Sequence, residues 1–188
     1  PRNSKYLPGG SSGGSAAAIA ADMAIAAIGS ETAGSIRQPA AWCGVVGLKP
    51  TYGRVSRYGV IAMGSSLDSP GPITKTVEDS AIVLNQIAGK DENDGTTSSL
   101  PIVNYTKNLK NGVKGMKIGI CYIDHPKIKE SPIAKSVEEA GHVLENLGAK
   151  VDQVTISNEL ERGKILTHEH AVGVYTVIQR GEVSSNLS

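Results

Sequence analysis

The clearest pattern of apolar and polar positions lies in the last third of the chain and predicts a strand, a helix and a second strand. Residues 116–122 and 150–156 each have the length and composition of a strand. Between them, Ser131 and Pro132 suit the N-cap and the first position of a helix. The predicted apolar face of this helix comprises Ile133, Val137, Ala140, Val143, Leu144 and Leu147. Because this order requires a helical crossover, we expect the two strands to be parallel.

A second helical pattern begins near residue 76. Either Thr76 or Thr74 is its predicted N-cap, an acidic pair follows at the positive end of the helix, and Gly89 ends it. Its predicted buried stripe comprises Val77, Ala81, Leu84 and Ala88. A last helix is predicted over residues 168–183.

The first third of the chain predicts short elements between loops. Residues 16–23 favour a helix by propensity, whereas Met23–Ile28 fits either an extension of that helix or a short buried strand. Residues 45–48 predict a buried strand, and residues 51–73 are rich in turn formers. Residues 90–115 are polar and predict a long surface connection. The fold class that follows is α/β.

Composition and charge narrow the function classes. The net charge is +1, which argues against a polybasic membrane anchor or a surface devoted to nucleic acid. Two cysteines, Cys43 and Cys121, cannot form a disulfide framework and favour a reducing compartment. The longest mostly apolar stretch, residues 16–29, is too short to span a bilayer. The first residue is not methionine and the last helix lacks a stop signal, so we expect a piece of a longer protein.

Candidate chemistry lies in two loops of glycine and serine. Twelve of the 22 glycines fall in residues 1–71. Ser11 and Ser12 lie between two Gly-Gly pairs, and Ser35 follows Gly34 in a second loop, residues 29–37. Because glycine allows backbone N–H groups to converge, residues 32–35 are a candidate oxyanion hole beside the Ser35 hydroxyl. A serine nucleophile also needs a base, yet none of the four histidines lies in this part of the chain.

Other interpretations of these loops fit less well. A flexible linker or a cloning remnant does not account for the second glycine-serine loop downstream. A phosphate-binding loop lacks the Gly-Lys-Ser/Thr and Gly-x-Gly-x-x-Gly patterns. Residues 9–13 match the Gly-x-Ser-x-Gly nucleophile elbow, but no apolar strand precedes them.

The same residues resemble the amidase signature family, and within it the glutaminase subunits of tRNA-dependent amidotransferases. The similar segments are Pro8–Ala17, Gly29–Pro39, Cys43–Arg54, Ser56–Gly59, Ser65–Asp68 and Gly71–Pro72, with Ser184–Ser188 near the end. The resemblance implies a mixed, mostly parallel sheet flanked by helices, truncated here at both ends. It also implies one partial domain over residues 1–188, with a signature core (1–90), the surface connection (91–115) and a βαβ part (116–188).

The resemblance implies a Ser–cis-Ser–Lys triad. Ser35 matches the acyl-ester nucleophile, and Ser11 matches the bridging serine that follows a cis peptide bond after Gly10. The backbone N–H groups of Thr32, Ala33, Gly34 and Ser35 match the oxyanion hole. Glu31 and Arg37 match a structural pair that holds the loop.

Two positions depart from the family pattern. The catalytic lysine of the family lies upstream of the glycine-serine loop, and Lys5 is too close to Ser11 to match it, so we expect that lysine outside this chain. Ala33 replaces a common glycine, which raises the question of whether the loop keeps its geometry. The C-terminal segments that would contact the substrate in the family are also expected outside this chain. Without them and the lysine, we expect the 188-residue chain alone to be inactive.

The function that the resemblance implies is glutamine hydrolysis that supplies ammonia for amidating misacylated Glu-tRNA(Gln), with Asp-tRNA(Asn) as a further substrate left open. The implied partners are the B and C subunits of the complex, glutamine and misacylated tRNA, without a membrane. We expect no cofactor in this chain, with ATP and Mg²⁺ used by the assembled complex, and a cytoplasmic location of bacterial type. The alternatives are a stand-alone amidase for small amides and a non-catalytic scaffold.

Three further features have mainly structural interpretations. Cys43 favours packing, since no histidine is adjacent, and Cys121 lies in a predicted strand and is expected in the core. His168 and His170 alone are weak evidence for a metal, and we expect no metal site. Lys49, Arg54 and Arg57 form a basic cluster whose default interpretation is a solvated face, while binding of tRNA or of a partner protein is the alternative.

Overall fold

A computed structural model of the chain describes residues 3, 5–121, 131–154, 159–160, 164–165 and 168–188. The chain divides into two units. Unit 1 comprises Pro1–Leu109 and Tyr175–Ser188, and unit 2 comprises Lys110–Val174.

Unit 1 contains a three-stranded sheet of order β1-β3-β2. The strands are β1 (Ala26–Glu31), β2 (Val46–Gly47) and β3 (Ser69–Thr74). Both ladders are antiparallel, and Ile28 is opposite Pro72. The ambiguous segment 23–28 therefore enters a strand, although Met23 and Ile25 before that strand are exposed rather than buried.

The central strand β3 is a correction, because residues 51–73 predicted only turns. All six residues of β3 are buried, including Pro70 and Pro72. The carbonyl of Pro72 accepts a hydrogen bond from the N–H of Leu48 at 3.0 Å. The N–H and C=O groups of one residue point to the same side of an antiparallel strand. The N–H group that proline lacks would therefore point toward β2 at Pro72. β2 supplies only two ladder pairs there, so this central strand tolerates proline.

Two short helices pack on this sheet. The first, α1 (Gly13–Ala20), begins three residues before the predicted Ala16. The second, α2 (Arg37–Cys43), was not predicted. The core between them and the sheet comprises Ala16, Ile19, Ile36, Ala40 and Ile73, each almost fully buried. Small residues allow a close approach of α2 to β2, because a Cβ on Gly47 would lie 2.6 Å from Cβ of Ala40.

The third helix, α3 (Val77–Ile87), confirms the predicted helix after residue 76. The Thr76 hydroxyl accepts a hydrogen bond from the Asp79 N–H, so Thr76 rather than Thr74 is the N-cap. The buried stripe is confirmed at Ala81, Leu84 and Ala88 and is wrong at Val77, which is exposed. Because helical side chains lean toward the N-terminus, the first residue projects beyond the end of the packed surface.

The connection after α3 has no helix or strand over residues 90–115, as predicted. Hydrogen bonds from the basic cluster hold part of this connection in place. The Arg54 guanidinium donates to the carbonyls of Leu100 and Pro101 at 3.0 and 2.6 Å and to the Tyr105 hydroxyl at 2.7 Å. The Arg57 guanidinium donates to the carbonyl of Ser65 and to the hydroxyl of Thr96, and it lies over the ring of Tyr52, 5.0 Å from its centre. The interpretation of the cluster as a solvated face is therefore wrong for the two arginines, because their donors are used to hold loops.

Unit 2 contains the predicted strand–helix–strand arrangement. Strand β4 (Lys117–Cys121) pairs in parallel with β5 (Lys150–Val154), and α4 (Pro132–Asn146) connects them in sequence. Ser131 caps α4 by accepting from the Ala134 N–H at 3.2 Å. The predicted residues 122, 155 and 156 lie outside the described residues.

The predicted apolar face of α4 is a correction. Its buried residues are Ala134 and Gly141, whereas five of the predicted positions are exposed: Ile133, Val137, Ala140, Val143 and Leu147. A Cβ on Gly141 would lie 2.6 Å from Cδ1 of Ile120, so the helix approaches the sheet through its smallest residues. Periodicity alone favoured the larger side chains.

The remaining elements are a short hairpin and a long helix. The hairpin pairs β6 (Glu159–Leu160) with β7 (Lys164–Ile165), and α5 (His168–Asn186) extends three residues beyond the prediction. The α/β class with mixed strand directions is confirmed. Of the described ladders only β4–β5 is parallel, so the parallel share is smaller than expected, because β3 returns through turns rather than through a helical crossover. No helix in the described part of the chain is both long and apolar enough to cross a membrane.

Candidate functional site

The loop that carries Ser35 connects β1 to α2 and is closed by one carboxylate. The Glu31 side chain is fully buried at the end of β1. Its Oε2 accepts the backbone N–H groups of Ile36 and Arg37 at 3.1 and 3.0 Å. Its Oε1 accepts the Arg37 Nε–H at 2.7 Å and a second guanidinium N–H of the same residue. Glu31 therefore joins the two ends of the segment 32–36.

The charge of Glu31 is stabilised where it lies. Burial opposes ionisation, but the hydrogen bonds from Arg37 and from the backbone outweigh it and hold the pKa of Glu31 below 4.5. The same pair raises the pKa of Arg37. The carboxylate is therefore ionised at neutral pH, as a charge-assisted hydrogen-bond acceptor requires.

Four consecutive backbone donors of this loop are unused in the part of the chain that the structure describes. Among the described residues, no acceptor within the chain takes the N–H of Thr32, Ala33, Gly34 or Ser35. Gly34 adopts φ of +125°, a conformation that glycine allows and other residues rarely take. Ala33 does not adopt a positive φ, so the alanine that replaces the common glycine keeps an ordinary backbone conformation. These N–H groups can stabilise an oxyanion next to the Ser35 hydroxyl.

The loop that carries Ser11 lies against the Ser35 loop. The N–H of Ser12 donates to the carbonyl of Ser35 at 3.0 Å. The Gly10–Ser11 peptide bond is cis, which is the configuration that the resemblance implies before Ser11. Gly29 of β1 permits this approach, because a Cβ there would lie 2.6 Å from Oγ of Ser12.

The two candidate catalytic hydroxyls are not hydrogen-bonded to each other. Within the described part of the chain, neither the Ser11 nor the Ser35 hydroxyl takes part in a hydrogen bond. A serine side chain rotates to suit the partners within reach. The structure thus brings the two loops together, while the proton relay through Ser11 stays a prediction.

Two residues that contact these loops were missed by sequence reasoning. The Gln38 side-chain oxygen accepts the N–H of Gly10 at 3.1 Å, and the hydroxyl of Tyr175 lies 3.1 Å from that of Thr32. Tyr175 is 143 residues away in sequence, so no local signal connects it to the loop. For Gln38, the only nearby signal in the sequence was Pro39, because proline is tolerated in the first turn of a helix. That signal concerns the backbone conformation and does not indicate which group the Gln38 side chain contacts.

Cys43 adds a weaker contact to the same loop. Its thiol donates to the carbonyl of Pro8 at 3.6 Å from the end of α2, and the side chain is half-buried. This agrees with a packing role. The expectation that Cys121 lies in the core is wrong, because Cys121 is exposed at the end of β4.

The candidate metal ligands of this chain are the side chains of His, Cys, Asp and Glu. Among the described residues, no group of three or more His, Cys, Asp or Glu side chains is placed to hold a metal ion. The His168 side chain of the sequence candidate lies outside the described residues.

Comparison with known proteins identifies the family. The family model described as Amidase matches residues 1–182. The chain belongs to the amidase family. The A subunit of glutamyl-tRNA(Gln) amidotransferase from Ligilactobacillus salivarius is 49% identical to this amidase over 181 residues, which is 96% of the chain and 35% of the relative.

Solved structures agree. The crystal structure of the A subunit of glutamyl-tRNA(Gln) amidotransferase from Thermotoga maritima has a TM-score of 0.83 and 49% identity, over 96% of this amidase and 38% of that chain. The native peptide amidase from Stenotrophomonas maltophilia has a TM-score of 0.82 and 38% identity, over 96% of this amidase and 36% of that chain. This amidase therefore has the amidase-signature fold, and it spans little more than a third of these relatives.

Proposed function

We propose that this chain is the catalytic signature region of the glutaminase subunit of a tRNA-dependent amidotransferase. The observation that carries the proposal is the row of unused N–H groups of residues 32–35 beside Ser35, fixed by the buried Glu31. Preorganised donors of this kind stabilise the oxyanion of acyl transfer. The 49% identity to two amidotransferase A subunits supports the substrate class.

In the proposed reaction, the Ser35 oxygen attacks the carboxamide carbon of glutamine. The C=O electron pair moves to the oxygen, and the N–H groups of residues 32–35 stabilise the resulting oxyanion. The C–N bond then breaks, and the leaving nitrogen takes a proton and departs as ammonia. Water hydrolyses the Ser35 ester to release glutamate and to restore the hydroxyl.

The proton from Ser35 needs an acceptor in this scheme. We assign Ser11 as the bridge that receives it and passes it to a neutral lysine, and then returns it to the leaving nitrogen. We place that lysine in a part of the protein outside this chain. The hydrogen bond from Ser12 to the Ser35 carbonyl supports the assignment, because it keeps the two serine loops in contact.

The remaining parts of the proposal concern the complex. The B and C subunits would receive the ammonia and transfer it to misacylated Glu-tRNA(Gln), and Asp-tRNA(Asn) is a further candidate substrate. ATP and Mg²⁺ would act on that tRNA in the partner subunits, and no step derived above uses them. We place the complex in a bacterial-type cytoplasm.

The test is glutamine hydrolysis by the full-length protein that contains this chain, assayed alone and with its B and C subunits and tRNA. We expect Ser35→Ala to lower kcat by at least about a thousandfold, since the nucleophile is lost. Ser99→Ala is the matched control, because Ser99 is exposed in the surface connection and has no described hydrogen bond. Glutaminase activity that is unchanged in Ser35→Ala would refute the mechanism.

A stand-alone amidase is the second candidate function. It is favoured by the similarity to the peptide amidase, which reaches a TM-score of 0.82. The two candidates share the serine chemistry, so only the substrate separates them. Hydrolysis of small or peptide amides without partner subunits, together with no response of glutamine hydrolysis to tRNA, would favour this alternative.

A further inference from the structure

Gln38 contacts the residue that precedes each of the two candidate catalytic serines. Its backbone N–H donates to the carbonyl of Gly34 at 2.8 Å. Its side-chain oxygen Oε1 accepts the N–H of Gly10 at 3.1 Å. One residue of α2 therefore connects the Ser35 loop to the Ser11 loop.

These contacts fix Ser11 from both sides. The amide before it, at Gly10, is bound by Gln38, and the amide after it, at Ser12, is bound by the carbonyl of Ser35. Both acceptors belong to the segment 35–38. The backbone of Ser11 is therefore held against the segment that carries the candidate nucleophile, although the Ser11 side chain itself has no hydrogen bond there.

The position of Gln38 is itself well determined. The buried Glu31 carboxylate binds the N–H groups of Ile36 and Arg37, immediately before Gln38. The next residue, Pro39, is fully buried. A Cβ on Gly9 would lie 3.1 Å from Cα of Pro39 and 3.2 Å from Oε1 of Gln38, so the glycine loop packs directly on the first turn of α2. Little room is therefore left for Gly9 to move toward α2.

We propose that Gln38 is a positioning residue, which sets the separation of Ser11 from Ser35 through its side-chain oxygen. The inference rests on the proposed function, because the separation of Ser11 from Ser35 affects the rate only if Ser11 receives the proton of Ser35. Without the acceptor, Gly10 loses its contact to α2 and the Ser11 loop is held only by the Ser12 amide. The hydroxyl of Ser11 then spends less time in reach of Ser35, and proton transfer slows while substrate binding does not.

The test compares two substitutions of similar size in the full-length protein with its partner subunits. Gln38→Met removes the acceptor, whereas Gln38→Glu keeps an oxygen at the same position. We expect Gln38→Met to lower kcat for glutamine hydrolysis about tenfold, with KM changed less than about twofold. We expect Gln38→Glu to have a kcat much closer to that of the unsubstituted protein. The rate of Ser35 labelling by a fluorophosphonate should follow the same order, since it reports the nucleophile without substrate.

The control is Gln86→Met, because Gln86 is an exposed helical glutamine of α3 whose side chain has no described hydrogen bond. Its kcat and labelling rate should equal those of the unsubstituted protein. Thermal unfolding of all variants separates positioning from folding, since Gln38→Met and Gln38→Glu should unfold at similar temperatures.

The outcomes distinguish this inference from the proposed function. If Ser35→Ala abolishes glutaminase activity but Gln38→Met has normal kcat and labelling, the positioning role is wrong and the serine mechanism stands. The positioning role is equally wrong if Gln38→Glu is as slow as Gln38→Met, or if Gln38→Met raises KM alone. If Ser35→Ala retains activity, the proposed function itself fails.

Discussion

Glu31 determines the shape of the candidate nucleophile loop because one buried carboxylate accepts four hydrogen bonds. Two come from the backbone N–H groups of Ile36 and Arg37, and two come from the guanidinium of Arg37. The side chain of Arg37 is 59% exposed while that of Glu31 is fully buried. The pair is thus asymmetric, because the guanidinium is solvated and the carboxylate is not. Removing the hydrogen-bond donors of the buried carboxylate would lower the free energy of unfolding.

Glu31→Gln should therefore destabilise the protein and slow the reaction. The amide keeps one acceptor oxygen and places an NH₂ group toward donors, so we expect a loss of about 2 kcal/mol in the free energy of unfolding. The pKa of Glu31 is lowered, so its stabilisation is present above the ordinary pKa of 4.5 and is lost as the pH falls through the lower folded value. Urea unfolding at pH 7 and at acid pH measures the loss of stability and its pH dependence, and kcat for glutamine hydrolysis by the full-length protein measures the slower reaction.

The control for this substitution is Glu139→Gln, on the exposed surface of α4. It should leave the free energy of unfolding within about 0.5 kcal/mol of the unsubstituted value. Equal stability of Glu31→Gln and Glu139→Gln at pH 7 would contradict the role given to the buried carboxylate.

At the scale of elements, β1 is the strand on which both serine loops meet, and Gly29 is the point of closest approach. A Cβ at this position would lie 2.6 Å from Oγ of Ser12 and 3.0 Å from Cγ1 of Ile36. Gly29→Ala should thus push the two loops apart. We expect a loss of about 1–3 kcal/mol in the free energy of unfolding together with a lower kcat for glutamine hydrolysis.

Gly95→Ala is the matched control for Gly29→Ala. A Cβ on Gly95 would have no heavy atom within 4 Å, and the φ of this residue is not positive. The added methyl group there should leave the free energy of unfolding unchanged or raise it by a few tenths of a kcal/mol. If Gly29→Ala likewise leaves the free energy of unfolding unchanged, Ser12 does not pack closely against Gly29 and the prediction is wrong.

Elements with a strong local signal could be predicted from the sequence. The capped helix α3 and the β4–α4–β5 arrangement each have an N-cap, a period and a stop within one segment. The helix α2 and the central strand β3 could not, since Pro39 lies within the helix and two prolines lie within the strand. In both cases tertiary packing outweighs the local preference, because the buried core needs Ala40 and Ile73 at those positions.

For unit 1 as a whole, the candidate site was predictable only in part. The glycine and serine pattern locates both loops, because close approach of backbone needs glycine. The partners that hold the loops come from distant sequence: Gln38 for Gly10 and Tyr175 for Thr32. A single sequence gives no signal for such pairs, so they were found from the structure.

The same kind of long-range contact holds the connection after α3. Asp94 is buried, and its carboxylate accepts the backbone N–H of Arg57 at 2.8 Å and both donors of Thr96 at 2.9 and 2.6 Å. These hydrogen bonds, the Thr96 hydroxyl first among them, lower the pKa of Asp94 to about 2. The residue thus joins the turn-rich segment 51–68 to the connection 90–109 by a group that stays charged far into the acid range.

This contact predicts how unit 1 responds to acid. Since the folded pKa of Asp94 is about 2 and the ordinary value is 3.8, its stabilisation is complete above about pH 4 and is lost as the pH falls toward 2. Asp94→Asn should be less stable than the unsubstituted chain at neutral pH, and the difference should shrink between about pH 4 and pH 2. Urea unfolding across this range measures the difference. Glu92→Gln, at a carboxylate that is 83% exposed, should show no such trend, and a constant difference for Asp94→Asn would mean that its charge does not stabilise the fold.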